Sequence, residues 1–297
     1  ISDALVKWAM NGVIVLSLIP MINVGAGRNF GMTIGLSAGL VGMIFALNAR
    51  LTSWTGFFCS ILAGMAVALV FGLIYAAVLN RLKLNEEIVG AFAGYSFIPI
   101  MNLFYTFVPV TNRQMLYPIG GQGLRPKVNL ENYFGQILDR LWQIEIGGVV
   151  IPLGLLLFFF GIGLLLWLFS KTRTGLIFTA IAENEKFARL TGIRVNRYRT
   201  IAIVMSTVIA AVGVVVYSQS YGILHLYDGP FMMSFSDCDR RRQPEKGYGD
   251  ERPDRYVSVP DYLPAVHPCG QRAADTGDGG DSAYHYYKRH YFVCIYF

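Results

Sequence analysis

Six stretches of this chain contain no Asp, Glu, Lys or Arg, and each is about twenty residues or longer, the length an α-helix needs to cross the hydrocarbon core of a bilayer. They lie between Lys7 and Arg28, Arg28 and Arg50, Arg50 and Arg81, Glu87 and Arg113, Glu145 and Lys171, and Arg199 and Asp228. The runs are continuous and do not alternate as barrel strands would, so spanning helices are the form they allow. With 54% apolar and 15% charged residues, the composition is that of a polytopic membrane protein. The expected fold is an all-α bundle of transmembrane helices.

Inside these runs the small and polar residues set the expectations. Pro20 lies in the middle of the first and removes a backbone donor, which predicts a kink. The second, Asn29 to Asn48, repeats Gly31, Gly35 and Gly39 every four residues, a smooth groove for close helix packing or, alternatively, a broken helix lining a solute path. Leu51 to Asn80 is the longest run and has room to tilt or to include an interfacial turn. The fourth, Ile88 to Asn112, carries Tyr95, Asn102 and Tyr105, polar groups that would be costly facing lipid. They are candidates for the solute path, although contacts between helices explain them equally well.

Between Asn112 and Glu145 the sequence reads as an amphipathic loop with Pro118, Gly120, Gly121, Gly123 and Pro126, and a surface helix is expected from Leu130 to Trp142. Tyr117, Tyr133 and Trp142 suit the membrane interface. A very apolar helix is expected over Ile146 to Ser170, and a last one over Thr200 to Tyr227.

Ile181 to Arg199 is a polar island between two spanning runs. Glu183 to Leu190 has good helix formers, and Gly192 is placed to end the helix because glycine takes a left-handed backbone without steric cost. A solvated loop whose basic residues only fix topology is one reading; a docking element for a motor protein is the other. If this island is cytoplasmic, alternation puts Asn80 to Glu87 and Arg28 on the same side and Arg50, the loop Asn112 to Glu145 and Ile1 on the opposite one. The short inside loops are then the basic ones, as the positive-inside rule expects. An outside Ile1, with no initiator Met, implies a preceding helix.

Several kinds of chemistry find no support. No Gly-x-x-x-x-Gly-Lys-Ser/Thr occurs, so energy must come from a partner. Gly25-Ala-Gly27-Arg-Asn-Phe-Gly31 has the wrong spacing for a nucleotide-binding loop and no preceding strand. The four cysteines, Cys59, Cys238, Cys269 and Cys294, form no CxxC pair, which points to neither a disulfide framework nor a zinc site. His225 stands without partners for acid-base work, so no catalytic residue, metal or cofactor is expected.

The sequence changes character at Ser236, where Asp-Cys-Asp-Arg-Arg-Arg-Gln-Pro-Glu-Lys begins a polar tail. It reads either as a disordered tail or as the product of a frame slip, since the codons of Asp254 to Tyr262, displaced by one nucleotide, can spell apolar helix text. The expected division is therefore 1–235, membrane domain, and 236–297, anomalous tail, with no role for His267, His285 or His290.

Asn184-Glu185 followed by Arg189-Leu190-Thr191-Gly192-Ile193, then Asn196 and a helix with Ala210, Ala211 and Gly213, resembles the inner-membrane permeases of bacterial ABC importers. The likeness extends to Gly31-Met-Thr-Ile-Gly-Leu-Ser-Ala-Gly and Asn80-Arg-Leu-Lys-Leu and covers about Trp8 to Phe235. It is strongest to the ribose/galactose/xylose branch, which is related to the branched-chain amino acid permeases. The resemblance implies a multi-pass protein of the bacterial inner membrane with the type II, BtuC-like permease fold. It also implies a second permease subunit, an ABC ATPase subunit and a periplasmic or lipid-anchored solute-binding protein as partners, and further helices after Phe235. In that family the polar island is the loop that couples to the ATPase. The role falls here on Glu183, Asn184, Glu185, Phe187, Arg189 and Gly192, with Lys186 and Phe187 replacing the usual small pair. A monosaccharide is the implied cargo; branched-chain amino acids, nucleosides, an ion-coupled transporter and an inactive remnant are the alternatives.

Overall fold

The computed structural model describes residues 2–25, 30–81, 86–112, 115–116, 123–146 and 149–227. The tail from 228 onward lies outside the described residues, with its cysteines and histidines, as do Arg28, Lys83, Arg113 and Tyr117. The expected all-α bundle is what is observed, with two short two-stranded sheets attached. Its helices are α1 (Ser2–Leu16), α2 (Ile19–Asn23), α3 (Gly31–Asn48), α4 (Ser53–Arg81), α5 (Glu86–Phe107), α6 (Ile137–Arg140), α7 (Leu153–Lys171), α8 (Arg173–Glu183), α9 (Glu185–Leu190) and α10 (Val195–Tyr221). The strands are β1 (Lys127–Asn129), β2 (Gln143–Ile146), β3 (Val149–Pro152) and β4 (Ile223–His225). β1 pairs antiparallel with β4, Val128 opposite Leu224, and β2 with β3.

Helix α3 is the axis of the bundle. It is buried on nearly every side, and α4 and α10 are its main neighbours. Lipid tails are as apolar as leucine, so helices here cohere through close packing and not through escape from water. Glycine permits that closeness. A methyl group on Gly35 would sit 2.7 Å from Ala210 Cβ, and one on Gly39 would sit 2.5 Å from the Ala211 carbonyl oxygen. One turn further along the same small-residue face, a methyl on Gly42 would come within 2.5 Å of the Ser60 carbonyl oxygen in α4. The Gly35 and Gly39 repeat thus lies at a helix crossing. Gly31 opens α3 and is buried.

Five described helices are long and apolar enough to span a membrane: α3, α4, α5 from Ile88, α7 and α10. The first apolar run corrects the expectation of a single kinked helix. It forms α1 and α2, separated at Ser17–Leu18. Pro20 has no N–H to offer the Leu16 carbonyl and crowds that position, so the chain closes α1 with tighter bonds, Ser17 N–H to Ile14 O (3.1 Å) and Leu18 N–H to Val15 O (3.0 Å), and restarts at Ile19. The third run is one unbroken helix of 29 residues, about 43 Å long.

Two further expectations are corrected between α5 and α7. The surface helix over Leu130 to Trp142 shrinks to Ile137–Arg140, because Gln136 is left-handed (φ 55°) and the preceding residues turn back, with Gly135 N–H donating to Leu130 O (2.8 Å). The helix expected from Ile146 begins only at Leu153. The β-branched Val149, Val150 and Ile151 go into a hairpin, and Pro152, which has no N–H to lose, stands at the helix start.

Hydrogen bonds sort the connections into two ends. At the distal end, Ser53 N–H donates to Tyr133 O (2.7 Å), Thr111 N–H to Asn48 Oδ1 (2.8 Å), Leu130 N–H to Gly222 O (2.9 Å), and Ser2 Oγ to Val150 O (2.6 Å). At the proximal end, Asn80 Nδ2 donates to Thr200 Oγ1 (2.8 Å), and Gly25 packs against Ala182. This is the grouping of loops that alternation of spanning runs requires.

Among the described residues, Asp139 is a buried acid at the distal end. Ser220 Oγ donates to Asp139 Oδ1 (3.3 Å) and accepts from Gln219 Nε2 (2.8 Å), while Gln219 Oε1 accepts from Leu138 N–H (3.2 Å). Burial pushes the Asp139 carboxyl above the ordinary 3.8, and the Ser220 hydrogen bond offsets only part of that.

Two outcomes are expected. Gly39→Ala lowers the thermal stability of the purified protein by about 1–3 kcal/mol, as overpacking does. Gly161→Ala in α7, where nothing lies within 4 Å of the added methyl, leaves it unchanged or raises it by up to about 1 kcal/mol. For Asp139, the folded chain holds the proton more tightly than the unfolded chain. Its contribution is therefore present in full below the unfolded pKa of 3.8 and declines as pH rises from there through the folded value. Melting temperatures against pH are expected to show this decline, and Asp139→Asn is expected to remove it and melt higher at neutral pH.

Candidate functional site, a capped helix at the proximal end

The polar island folds as two short helices in front of α10. The chain leaves α7 sharply at Thr172, whose Oγ1 accepts the Gly175 N–H (3.3 Å) and caps α8. A methyl on Gly175 would lie 2.5 Å from the Phe169 carbonyl oxygen, so the turn is open only to glycine. One face of α8, with Gly175, Phe178 and Ile181, is buried against the bundle.

Asn184 corrects the expectation of one helix from Glu183 to Leu190. Its backbone is extended (φ −152°, ψ 94°); its N–H closes α8 on Ala180 O (3.2 Å), and its side-chain Oδ1 accepts the Phe187 N–H (3.0 Å) to open α9. A short amide side chain that can satisfy an orphan backbone donor favours such a break over a continued helix. Glu183 accordingly ends α8, two residues before α9 begins at Glu185.

The far end of α9 is fixed in the same local way. Thr191 Oγ1 donates to Ala188 O (3.0 Å), Gly192 N–H to Arg189 O (3.1 Å) and Ile193 N–H to Ala188 O (3.0 Å). Gly192 is left-handed (φ 83°), which closes the helix as expected. Glu185 and Arg189 form an ion pair one turn apart, Arg189 Nε reaching Glu185 Oε1 at 3.1 Å. Both side chains are solvent-accessible, so the pair is worth about 0.3–0.5 kcal/mol. It stiffens the helix surface more than it holds the fold.

What docks α9 is a single small residue. Ala188 is fully buried in a cluster with Met21, Tyr75, Leu79, Phe178, Ile181 and Val195, which come from α2, α4, α8 and α10. The opposite side presents Phe187, 63% exposed, and Leu190, 86% exposed. Two large apolar groups three residues apart thus stand in the open on a capped helix beside the exposed Lys186, Arg189 and Arg194. Among the described residues no three His, Cys, Asp or Glu side chains gather as a metal site would require. The arrangement can grip another protein; it holds no pair of groups set up for acid-base chemistry.

The family model for the permease component of the branched-chain amino acid transport system matches residues 1–236. The chain belongs to that family. No curated protein and no solved structure gives a significant match. A permease of this family is a membrane component of a transport system, in agreement with the five spanning helices, and the family is one of transporters and not of enzymes.

Within this permease, the residues singled out from sequence fall in separate places. Asn184, Glu185, Phe187, Arg189 and Gly192 come together on and around α9, with Asn184 engaged in capping and Glu185 paired to Arg189. Tyr95 and Asn102 lie on α5, far along the chain; Tyr95 is 48% exposed, with its ring 6.4 Å from that of Phe30, and Asn102 is half-buried. Leu190 escaped selection, although its place three residues after Phe187 on a helix puts the two on one face. Tyr75 was also missed, since nothing in an isolated apolar run marks one tyrosine as buried.

The caps make a prediction. Asn184→Ala is expected to destabilise α9 by about 1 kcal/mol, read as faster hydrogen exchange at the Phe187 amide with the exchange of α10 unchanged. Asn184→Asp, which keeps the acceptor, retains the slow exchange.

Proposed function

We propose that this permease is the membrane-spanning subunit of an ATP-driven importer for a monosaccharide or a similar small polar solute, coupled to a separate ATPase through residues 181–199. The observation that carries the reading is the pair Phe187 and Leu190, exposed on a helix whose other side buries Ala188 and packs on α8 and α10. An isolated exposed apolar side chain needs no explanation, but two on one rigid, capped turn form an anchor of the kind protein interfaces bury at their centre. The absence of a Walker A sequence from the chain leaves the energy source to a partner. α10 begins three residues after Gly192 and runs to the distal end, so closure of an ATPase dimer on α9 would tilt it as a rigid body.

The remaining assignments belong to the same proposal. A second permease subunit completes the pathway, and a periplasmic or lipid-anchored binding protein delivers the solute across the bacterial inner membrane. Glu183, Asn184, Glu185, Phe187, Arg189 and Gly192 form the ATPase contact, now with Leu190. Gly35 and Gly39 serve packing, and the end of the family match at residue 236 supports a domain boundary at 235. Branched-chain amino acids are the second reading of the cargo, favoured by the description of the family.

The test is co-purification with the ABC ATPase of the same transport system. Phe187→Glu and Leu190→Glu are each expected to weaken the association about 30-fold, the loss typical of a buried apolar anchor. Trp142→Ala at the distal end is expected to leave it intact. Association unchanged in both α9 variants would overturn the coupling role.

A further inference from the structure

Several buried hydroxyl groups in this bundle donate to a carbonyl three or four residues back along the chain. Ser17 donates to Ile14 O (2.6 Å), Ser37 to Thr33 O (2.9 Å) and Ser60 to Phe57 O (2.8 Å). Thr33 Oγ1, Tyr75 OH and Tyr105 OH do not; all three are at least nine-tenths buried and have no hydrogen-bond partner among the described residues. A buried hydroxyl without a partner costs free energy, so its retention calls for a reason.

The three belong to one seam. The inward face of α5 runs Gly90, Gly94, Met101 and Tyr105, all buried. A methyl on Gly90 would lie 3.1 Å from Tyr75 OH, which comes from α4, and 3.3 Å from Phe30 Cδ2, at the start of α3; one on Gly94 would lie 3.1 Å from the Phe30 carbonyl oxygen. Thr33 is one turn beyond Phe30. It shares the face of α3 that meets α5 at Phe30 and, five turns on, reaches the segment after α5 through Asn48 Oδ1 and Thr111 N–H (2.8 Å). Tyr105 OH lies at the distal end of the seam, its ring 5.9 Å from that of Tyr227.

The helix that carries Tyr105 and lies against Tyr75 OH, α5, is the least firmly held of the long ones facing α3. α5 packs on α3 and lightly on α4, exposes most of its length, and contains Pro99, which cannot bond the Tyr95 carbonyl. Charge is absent from the seam. α3 has none, α4 has only Arg81 at its last residue, and α5 has only Glu86 and Glu87 at its start.

We infer that Thr33, Tyr75 and Tyr105 are solute-reading groups, exposed in turn when α5 parts from α3 and α4, and that they select a neutral polyhydroxylated solute over a zwitterionic one. Each hydroxyl both donates and accepts, which matches the hydroxyls of a sugar. The ammonium and carboxylate of an amino acid would meet no opposite charge there, and an unpaired ion inside a membrane protein is strongly disfavoured. The inference rests on the transport role proposed above and names its cargo chemistry.

The experiment measures uptake of labelled D-ribose, D-galactose, D-xylose and L-leucine by cells carrying the complete transport system. One of the sugars is expected to enter and leucine to be excluded. Tyr75→Phe and Thr33→Val, which delete one hydroxyl at nearly constant volume, are expected to raise the sugar KM roughly tenfold each, the value of one lost hydrogen bond. Sugar uptake with wild-type KM in both variants overturns the seam but leaves the transport role standing. Leucine uptake overturns the neutral selectivity, and its KM in the same variants then judges the seam separately. A second measurement needs no cargo: Thr33→Cys is expected to react with a water-soluble thiol reagent in membranes during ATP turnover, above the background of the parent chain. A thiol that stays unreactive means the seam never opens and overturns the proposal.

Discussion

The contact on which the rest depends is backbone against backbone, α3 pressed onto α4 and α10 at Gly35, Gly39 and Gly42. In a medium where burying a leucine brings no advantage over leaving it in lipid, shape is what holds helices together, and shape is best matched where side chains are missing. That is why α3, the helix richest in small residues, is the one buried all round. α7, whose leucines and phenylalanines are larger, stays at the periphery with most of its surface exposed.

From this axis the architecture of the proximal end follows. α10 is held along its middle by α3 and α4, so its first turn is placed with little freedom. Val195 in that turn helps bury Ala188, the only fully buried side chain of α9. The knuckle is therefore attached to the bundle through packing and kept in shape by its own caps. Its apolar pair faces outward because the small residue faces inward. At the other end of α10, Gln219 and Ser220 knit into the loop that holds Asp139, so one helix links the exposed knuckle to the distal platform.

Much of this could be read from the sequence, and the limits have physical causes. Charge-free runs place spanning helices because an ion in hydrocarbon is intolerable, and that constraint is local. Gly192 stops a helix and Gly35 and Gly39 mark a crossing for equally local steric reasons. The failures arise where neighbours decide. Pro20 split its run into two helices because the break falls a turn ahead of the proline, and Val149 to Ile151 joined a hairpin that hydropathy alone could not separate from the helix that follows. Asn184 reads as a passable helix residue until its side chain is seen to cap the next segment. The buried hydroxyls of Tyr75 and Thr33 depend on which face of each helix meets α5, and no single run encodes that.

Everything functional in this reading requires α9 to face the compartment that contains ATP. The most direct measurement is the labelling of Thr191→Cys in intact cells with a membrane-impermeant thiol reagent, scored against the parent chain. No added labelling is expected until the cells are opened, followed by rapid reaction at this exposed position. Labelling from outside intact cells would place the knuckle on the wrong side of the membrane and contradict the account.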